Sequence, residues 1–478
     1  MKKFGFWNET EGQSSLPEQL IMQEARLSKE LYDLLEKQRK YQDREKALKE
    51  MRTARLQKSR EKIAENKRLR KEKKEQRAQD WKNSKQKDII YLGPTVSKGL
   101  QQTADGESDK LKQKQLPLIH TAEELASQMG IGIGELRFLS YNRPVSTVSH
   151  YRQFQMPKKT GGFRKISAPM PKLKEAQHWI LHYILNKLPV HENAHGFTLR
   201  KSIVTNAQPH LQKVLLINID LKDFFPSIHY PRVKGMFRGM GYNEKIATLL
   251  ALICTESETD EVELDGKKYF VKSGNRALPQ GAPTSPAITN YLCRRLDARL
   301  SGLARKYHFT YTRYADDMTF SFSADQQDSI KTCIGFIKKT IRTENFNIHP
   351  DKFKVLRKGA RHEVTGVVVN NKLSVDSKKL KKFRATLYQI EKHGLQGKHW
   401  NHSHNLLASL KGYANFINQV DPVKGKIYTE RVRKILDQYQ YRHEIIFKPK
   451  PKPSPLKEIP NPIPAPEAKT RKPWWKFW

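Results

Sequence analysis

Tyr314-Ala315-Asp316-Asp317 lies between two apolar, aromatic-rich runs, Phe309-Thr310-Tyr311-Thr312-Arg313 and Met318-Thr319-Phe320-Ser321-Phe322. Both runs alternate at period two, which predicts the arms of a β-hairpin with the two carboxylates at its tip. Adjacent like charges repel and raise each other's pKa unless a cation joins them. Mg²⁺ is the natural partner, a hard ion that takes oxygen ligands and sits beside phosphates. The pair points to two-metal phosphoryl transfer, in which the ions flank the attacking and leaving oxygens. A solvated surface turn has the same local pattern, so the reading needs a third carboxylate.

Val214-Leu215-Leu216-Ile217-Asn218-Ile219 reads as a buried strand that ends at Asp220. A carboxylate at the end of a buried strand is costly to desolvate unless it is paired or binds metal. Asp220 is therefore expected to meet Asp316 and Asp317 across a sheet. Between them runs Leu278-Pro279-Gln280-Gly281-Ala282-Pro283-Thr284-Ser285-Pro286. It is a Gly- and Pro-punctuated loop that leads into a helix, with Ser285 as the expected cap and Pro286 at the first helical position. Free N–H groups at such a helix start suit phosphate or sugar.

The order of these blocks resembles the reverse transcriptases, and more narrowly the retron type, which copies part of a small structured RNA into DNA. Two further stretches carry the resemblance: Asn206-Ala207-Gln208-Pro209-His210, which matches the NAxxH motif, and Val364-Thr365-Gly366, which matches the VTG motif. It covers roughly residues 120 to 445. The fold it implies is α+β, a right-hand polymerase of fingers, palm and helical thumb. Asp220, Asp316 and Asp317 would hold two Mg²⁺ ions and carry the chemistry. In the Gly-Gly hairpin from Gln153 to Pro169, Arg164 and one of Lys158 or Lys159 would clamp the triphosphate. Phe225 would reject a ribose 2′-OH, Gln280 would touch the incoming nucleotide, and Tyr314 would support the primer strand. Asn206, Ala207, His210, Val364, Thr365 and Gly366 would belong to RNA-recognition motifs. The implied partners are a cognate non-coding RNA, its RNA-linked DNA product, dNTPs and a protein effector in antiphage defence. A guanosine 2′-OH in the RNA would prime synthesis. Rival readings are a group II intron-like enzyme, a template-independent phage-exclusion enzyme, and an RNA-binding scaffold without chemistry. Three intact carboxylates argue against the scaffold.

Bulk properties agree. The chain has 478 residues and a formal net charge of +40. That excess goes far beyond what solubility needs and fits a polyanionic partner. Cys254, Cys293 and Cys333 are widely spaced and suggest neither a zinc site nor a disulfide framework. With no apolar stretch of membrane-spanning length, a cytoplasmic protein without membrane association is expected.

Five parts are expected. Residues 1–90 form a basic helical extension, in which Leu20, Leu27, Leu34, Tyr41 and Leu48 recur every seven residues. The other core position of that repeat is often polar, so an autonomous coiled coil is not expected. Residues 91–116 read as a linker, 117–375 as fingers and palm, and 376–447 as the helical thumb. Residues 448–478 read as a polyproline stalk ending in Trp474-Trp475-Lys476-Phe477-Trp478, an anchor for an effector or oligomer partner.

Overall fold

The computed structural model describes residues 16–97, 100, 106–158, 161–323, 330–400 and 405–441. The Pro-rich stalk and its tryptophans lie outside these residues. The chain forms two compact units: Met1–Arg152 with Met170–Trp179 and Tyr230–Asn275, and Gln153–Pro169 with Ile180–His229 and Arg276–Trp478.

The first unit opens with two long helices, α1 (Leu16–Tyr41) and α2 (Arg44–Lys87), the second capped by the Asp43 side chain on the Lys46 amide. No residue of α1 is buried. The helix Glu244–Cys254 is buried along almost its whole length, from Ile246 to Cys254. Around it stand helices Ala122–Met129, Ile133–Ser140 and Tyr230–Met240. The described residues of the stretch expected to be a linker are packed instead. They form a helix, Ser108–Gln113, and bury Leu92, Leu100, Leu111 and Leu116. Gly93 marks close approach rather than slack: at φ +108°, a Cβ on it would lie 2.1 Å from the Asn142 carbonyl oxygen.

The second unit is built on an antiparallel sheet. Its strands are β1 (Leu215–Lys222), β2 (Thr310–Tyr314), β3 (Asp317–Phe322) and β4 (Lys354–Arg357), in the order β4-β1-β3-β2, and a two-residue strand, Asn347–Ile348, also pairs with β1. Helices α3 (Ser285–Leu292) and α4 (Arg294–Lys306) precede β2. Ser285 begins α3 rather than capping it; its hydroxyl donates to the Pro279 carbonyl at 2.8 Å, tying the loop to the helix. Three further helices, α5 (Ser377–His393), α6 (Leu406–Val420) and α7 (Pro422–Gln438), pack around Phe383, Leu387, Leu410, Ile417, Val432 and Trp400. Each such side chain contributes about 1.5–3 kcal/mol by leaving water. This core runs on to Val364, Val367 and Leu216, so the three helices share it with the sheet.

Candidate active site

Strand pairing sets the carboxylates side by side. Asp220 of β1 is directly opposite Asp317 of β3, and Asp317 is directly opposite Tyr314 of β2. Because alternate residues share a face, the next rows behind them are Asn218–Thr319–Thr312 and Leu216–Ser321–Thr310. Asp316 occupies the turn after Ala315, which has a left-handed φ of +57°. The Asp316 carbonyl accepts from the Leu221 amide at 3.1 Å, which ties the turn to the end of β1.

Desolvation in this floor, with the neighbouring charge of Asp220, raises the Asp316 pKa; Lys352 and Arg164 oppose the rise. Asp317 is pushed up to about 7, first by desolvation and then by Asp316 and Asp220. Its side chain is exposed, so water tempers the first cause and like-charge repulsion remains. Lys352 Nζ lies 2.9 Å from Asp220 Oδ2 and supplies a counter-charge. Among the described residues no group of three or more His, Cys, Asp or Glu is gathered to hold a metal ion. The donor chemistry nevertheless fits one. Asp220 and Asp317 are paired across the ladder and Asp316 adjoins them at the turn; desolvation and neighbouring negative charge hold back the ionisation of Asp316 and Asp317, and a hard divalent ion relieves that repulsion.

The hairpin is held from both faces. On the core face Arg313 and Asp297 are fully buried and paired twice, Nε–Oδ1 at 2.8 Å and Nη2–Oδ2 at 2.7 Å. Arg313 Nη1 also donates to Asn290 Oδ1 and to the Ala315 carbonyl, both at 3.1 Å, so it grips the turn itself. The Tyr311 hydroxyl completes the set on Asp297 at 2.8 Å. On the other face His210 is buried, with Nδ1 2.7 Å from Ser321 Oγ and Nε2 2.8 Å from Thr312 Oγ1. A neutral imidazole satisfies both hydroxyls, since one ring nitrogen donates and the other accepts. Burial lowers its pKa to about 3, helped by electrostatic repulsion from His195 and Lys213.

The other expected residues fall as follows. Arg164 is exposed on strand Phe163–Pro169, and its charge reaches Asp316. Lys158 is exposed at the hairpin turn, where its amide donates to the Gly162 carbonyl; Lys159 lies outside the described residues. The Gln280 carbonyl accepts from the Ser167 amide at 2.7 Å, which docks the loop on the same strand. Gly281 is required there, because a Cβ would lie 2.8 Å from the Ser167 carbonyl oxygen. Phe225 is half-buried against the buried Phe224 at 5.6 Å between ring centroids. Asn206 Nδ2 donates to Thr365 Oγ1 at 3.4 Å, so the two distant motifs meet. Asn206, Ala207, His210 and Val364 are buried; only Thr365 and Gly366 reach the surface.

Sequence reasoning missed Arg313, Asp297 and Lys352. Arg313 was detectable: it shares the inward register of Phe309 and Tyr311, and a cation there demands a buried carboxylate. Nothing in the surroundings of Lys352 distinguishes it from other surface lysines.

Residues 156–392 match the family model described as reverse transcriptase (RNA-dependent DNA polymerase). Retron Mx162 reverse transcriptase from Myxococcus xanthus is 38% identical over 381 residues, 76% of this chain and 77% of that protein. Retron Ec86 reverse transcriptase from Escherichia coli is 30% identical over 333 residues, 69% of this chain and 94% of that protein. Among solved structures, a Candida albicans telomerase with a telomeric RNA fragment matches over 61% of each chain, at 12% identity and a TM-score of 0.35, too loose a likeness to bear on function.

Proposed function

This chain belongs to the reverse transcriptase family, in its retron branch, and is an RNA-directed DNA polymerase of right-hand fold; on that premise we propose that it copies part of its own structured RNA into single-stranded DNA that stays linked to the RNA. The observation that carries the reading is the row Asp220–Asp317–Tyr314, with Asp316 at the adjoining turn. Reverse transcriptases use divalent metal ions, and two Mg²⁺ ions are the proposed identity here. Asp220, Asp316 and Asp317 would hold them; when bound, they supply charge stabilisation for the attacking and leaving oxygens.

The remaining roles belong to the chain's own groups. Arg164, with Lys158 at the turn, offers charged donors to the triphosphate of a dNTP. The half-buried Phe225 ring crowds a ribose 2′-OH and leaves it without a partner. Tyr314 supports the end of the growing strand. Lys352 orients the Asp220 carboxylate and offers it a counter-charge. Priming from an RNA 2′-OH, and a place in antiphage defence with an effector, are proposed on the family resemblance alone. The stalk 448–478 is proposed to bind that effector or an oligomer partner, because three tryptophans favour burial against another surface.

The test is the nucleic acid that copurifies with the protein when it is expressed with its flanking DNA. The expected species is a short, discrete DNA joined to an internal 2′-oxygen of one RNA. Heterogeneous RNA with no attached DNA would favour the scaffold reading.

A further inference from the structure

We propose that Phe197 and Leu199 form a stacking platform, beside Tyr314, for the terminal nucleotide of the strand being extended. This rests on the polymerase reading above.

The loop that carries them is anchored at both ends. Asn193 and His195 add to the edge of β2: the Arg313 amide donates to the Asn193 carbonyl and the His195 amide to the Arg313 carbonyl, both at 2.8 Å. His195 Nδ1 lies 3.0 Å from Thr205 Oγ1. The Gly196 carbonyl accepts from Asn290 Nδ2 at 2.8 Å. Gly196 lies against the catalytic turn, where an added Cβ would be 2.5 Å from the Ala315 nitrogen. Between these anchors the backbone is forced. Phe197 and Arg200 have left-handed φ values of +56° and +61°, which bulky residues disfavour. The outcome is unusual for apolar side chains: Phe197 is 62% exposed and Leu199 87% exposed. A fold that strains its backbone to hold a phenyl ring in water is holding it for something.

Position names the ligand. Across the sheet the order is Asp220, Asp317, Tyr314, and the Phe197 ring centroid is 6.4 Å from that of Tyr314. Phe225, the proposed nucleotide gate, follows Asp220 in the chain, whereas Phe197 neighbours Tyr314 at the other end of the row. Arg200 is exposed in the same loop. An aromatic face with a cation in the same loop suits a nucleotide of either sugar, because every base has a π-face and every link a phosphate.

The probe is a DNA primer ending in 2-aminopurine, annealed to an RNA template. Without dNTP, binding to the wild-type protein is expected to quench the terminal base. Phe197→Gly is the decisive variant: glycine accepts the left-handed backbone, so the melting temperature should hold or rise while stacking is lost. The quench should disappear and the KM for primer should rise roughly tenfold, with the KM for dNTP unchanged. Phe197→Tyr should restore both. An unchanged quench and primer KM in Phe197→Gly would overturn the proposal, and so would a rise confined to the dNTP KM. The quench is read without chemistry, so it decides this point even if the catalytic reading fails.

Discussion

In the Tyr314–Asp317 hairpin, Tyr311, Arg313, Met318, Phe320 and Phe322 are all buried and Arg313 is bonded at each end of its guanidinium; in α1, Leu20, Leu27, Leu31 and Leu34 are each more than half exposed. Both regions carry strong apolar periodicity. The hairpin is specified by what surrounds it, so each side chain has a partner to lose. The amino-terminal helices are specified locally, by helix-forming residues and pairs such as Arg68–Glu72 and Lys71–Glu75 one turn apart. Periodicity alone did not distinguish the two. What distinguishes them is whether another element arrives to cover the apolar face.

The sharpest way to break this comparison is to mutate one residue in each region. Arg313→Met leaves the Asp297 carboxylate buried without its cation and should cost about 3–5 kcal/mol in denaturant unfolding. Leu27→Ala in α1 should stay within about 0.5 kcal/mol. Similar losses at both sites would mean that α1 is buried in some assembly.

At the proposed nucleotide gate, Phe225→Ala should raise CTP incorporation relative to dCTP by about tenfold or more. An unchanged ratio would make Phe225 a core residue like Phe224.

A smaller effect concerns acid. His210 and His195 have folded pKa values of about 3 and about 4, below the ordinary 6.5, so the unfolded chain binds protons that the folded one refuses. Their contribution to stability is full above pH 6.5 and is lost as pH falls toward 4 and then 3. Asp317 works in the opposite sense, because its raised pKa favours the folded form as pH falls through 7. Melting curves from pH 7 to 4 should therefore decline less steeply for His210→Gln than for the wild type, after its lower starting stability is allowed for. Equal slopes would mean that His210 is protonated in the fold.

The smallest effect on chemistry is expected from deleting residues 1–87. DNA synthesis on a short primer–template should persist. The plot of log RNA affinity against log salt should become shallower, by roughly 0.7–0.9 for each phosphate that α2 neutralises in the full-length protein. An unchanged slope would make α2 a solvated helix and no part of the RNA grip.

The sequence made the Tyr314–Asp317 hairpin, the strand before Asp220 and the first two helices after Asp376 legible, because each has a clean period. The meeting of Asp220 with Asp317 was readable as well, since a carboxylate that closes a buried strand needs company. Arg313 and Asp297 were harder, because their pairing joins a helix to a strand and leaves only one oddly placed cation as a trace. The described residues of 91–116 are more packed than the expected linker; glycine signals close approach as well as slack, and only the fold tells them apart. The Phe197 platform had no signal at all, since exposure and left-handed backbone are properties of the folded loop.

The most direct measurement is incorporation of labelled dNTP on an RNA template by wild-type protein and by Asp316→Ala/Asp317→Ala, with RNA affinity measured on the same preparations. The account predicts Mg²⁺-dependent synthesis by the wild type, none above background in the variant, and RNA affinity largely retained, because a dispersed basic surface holds the phosphates. DNA synthesis by the double variant would contradict it.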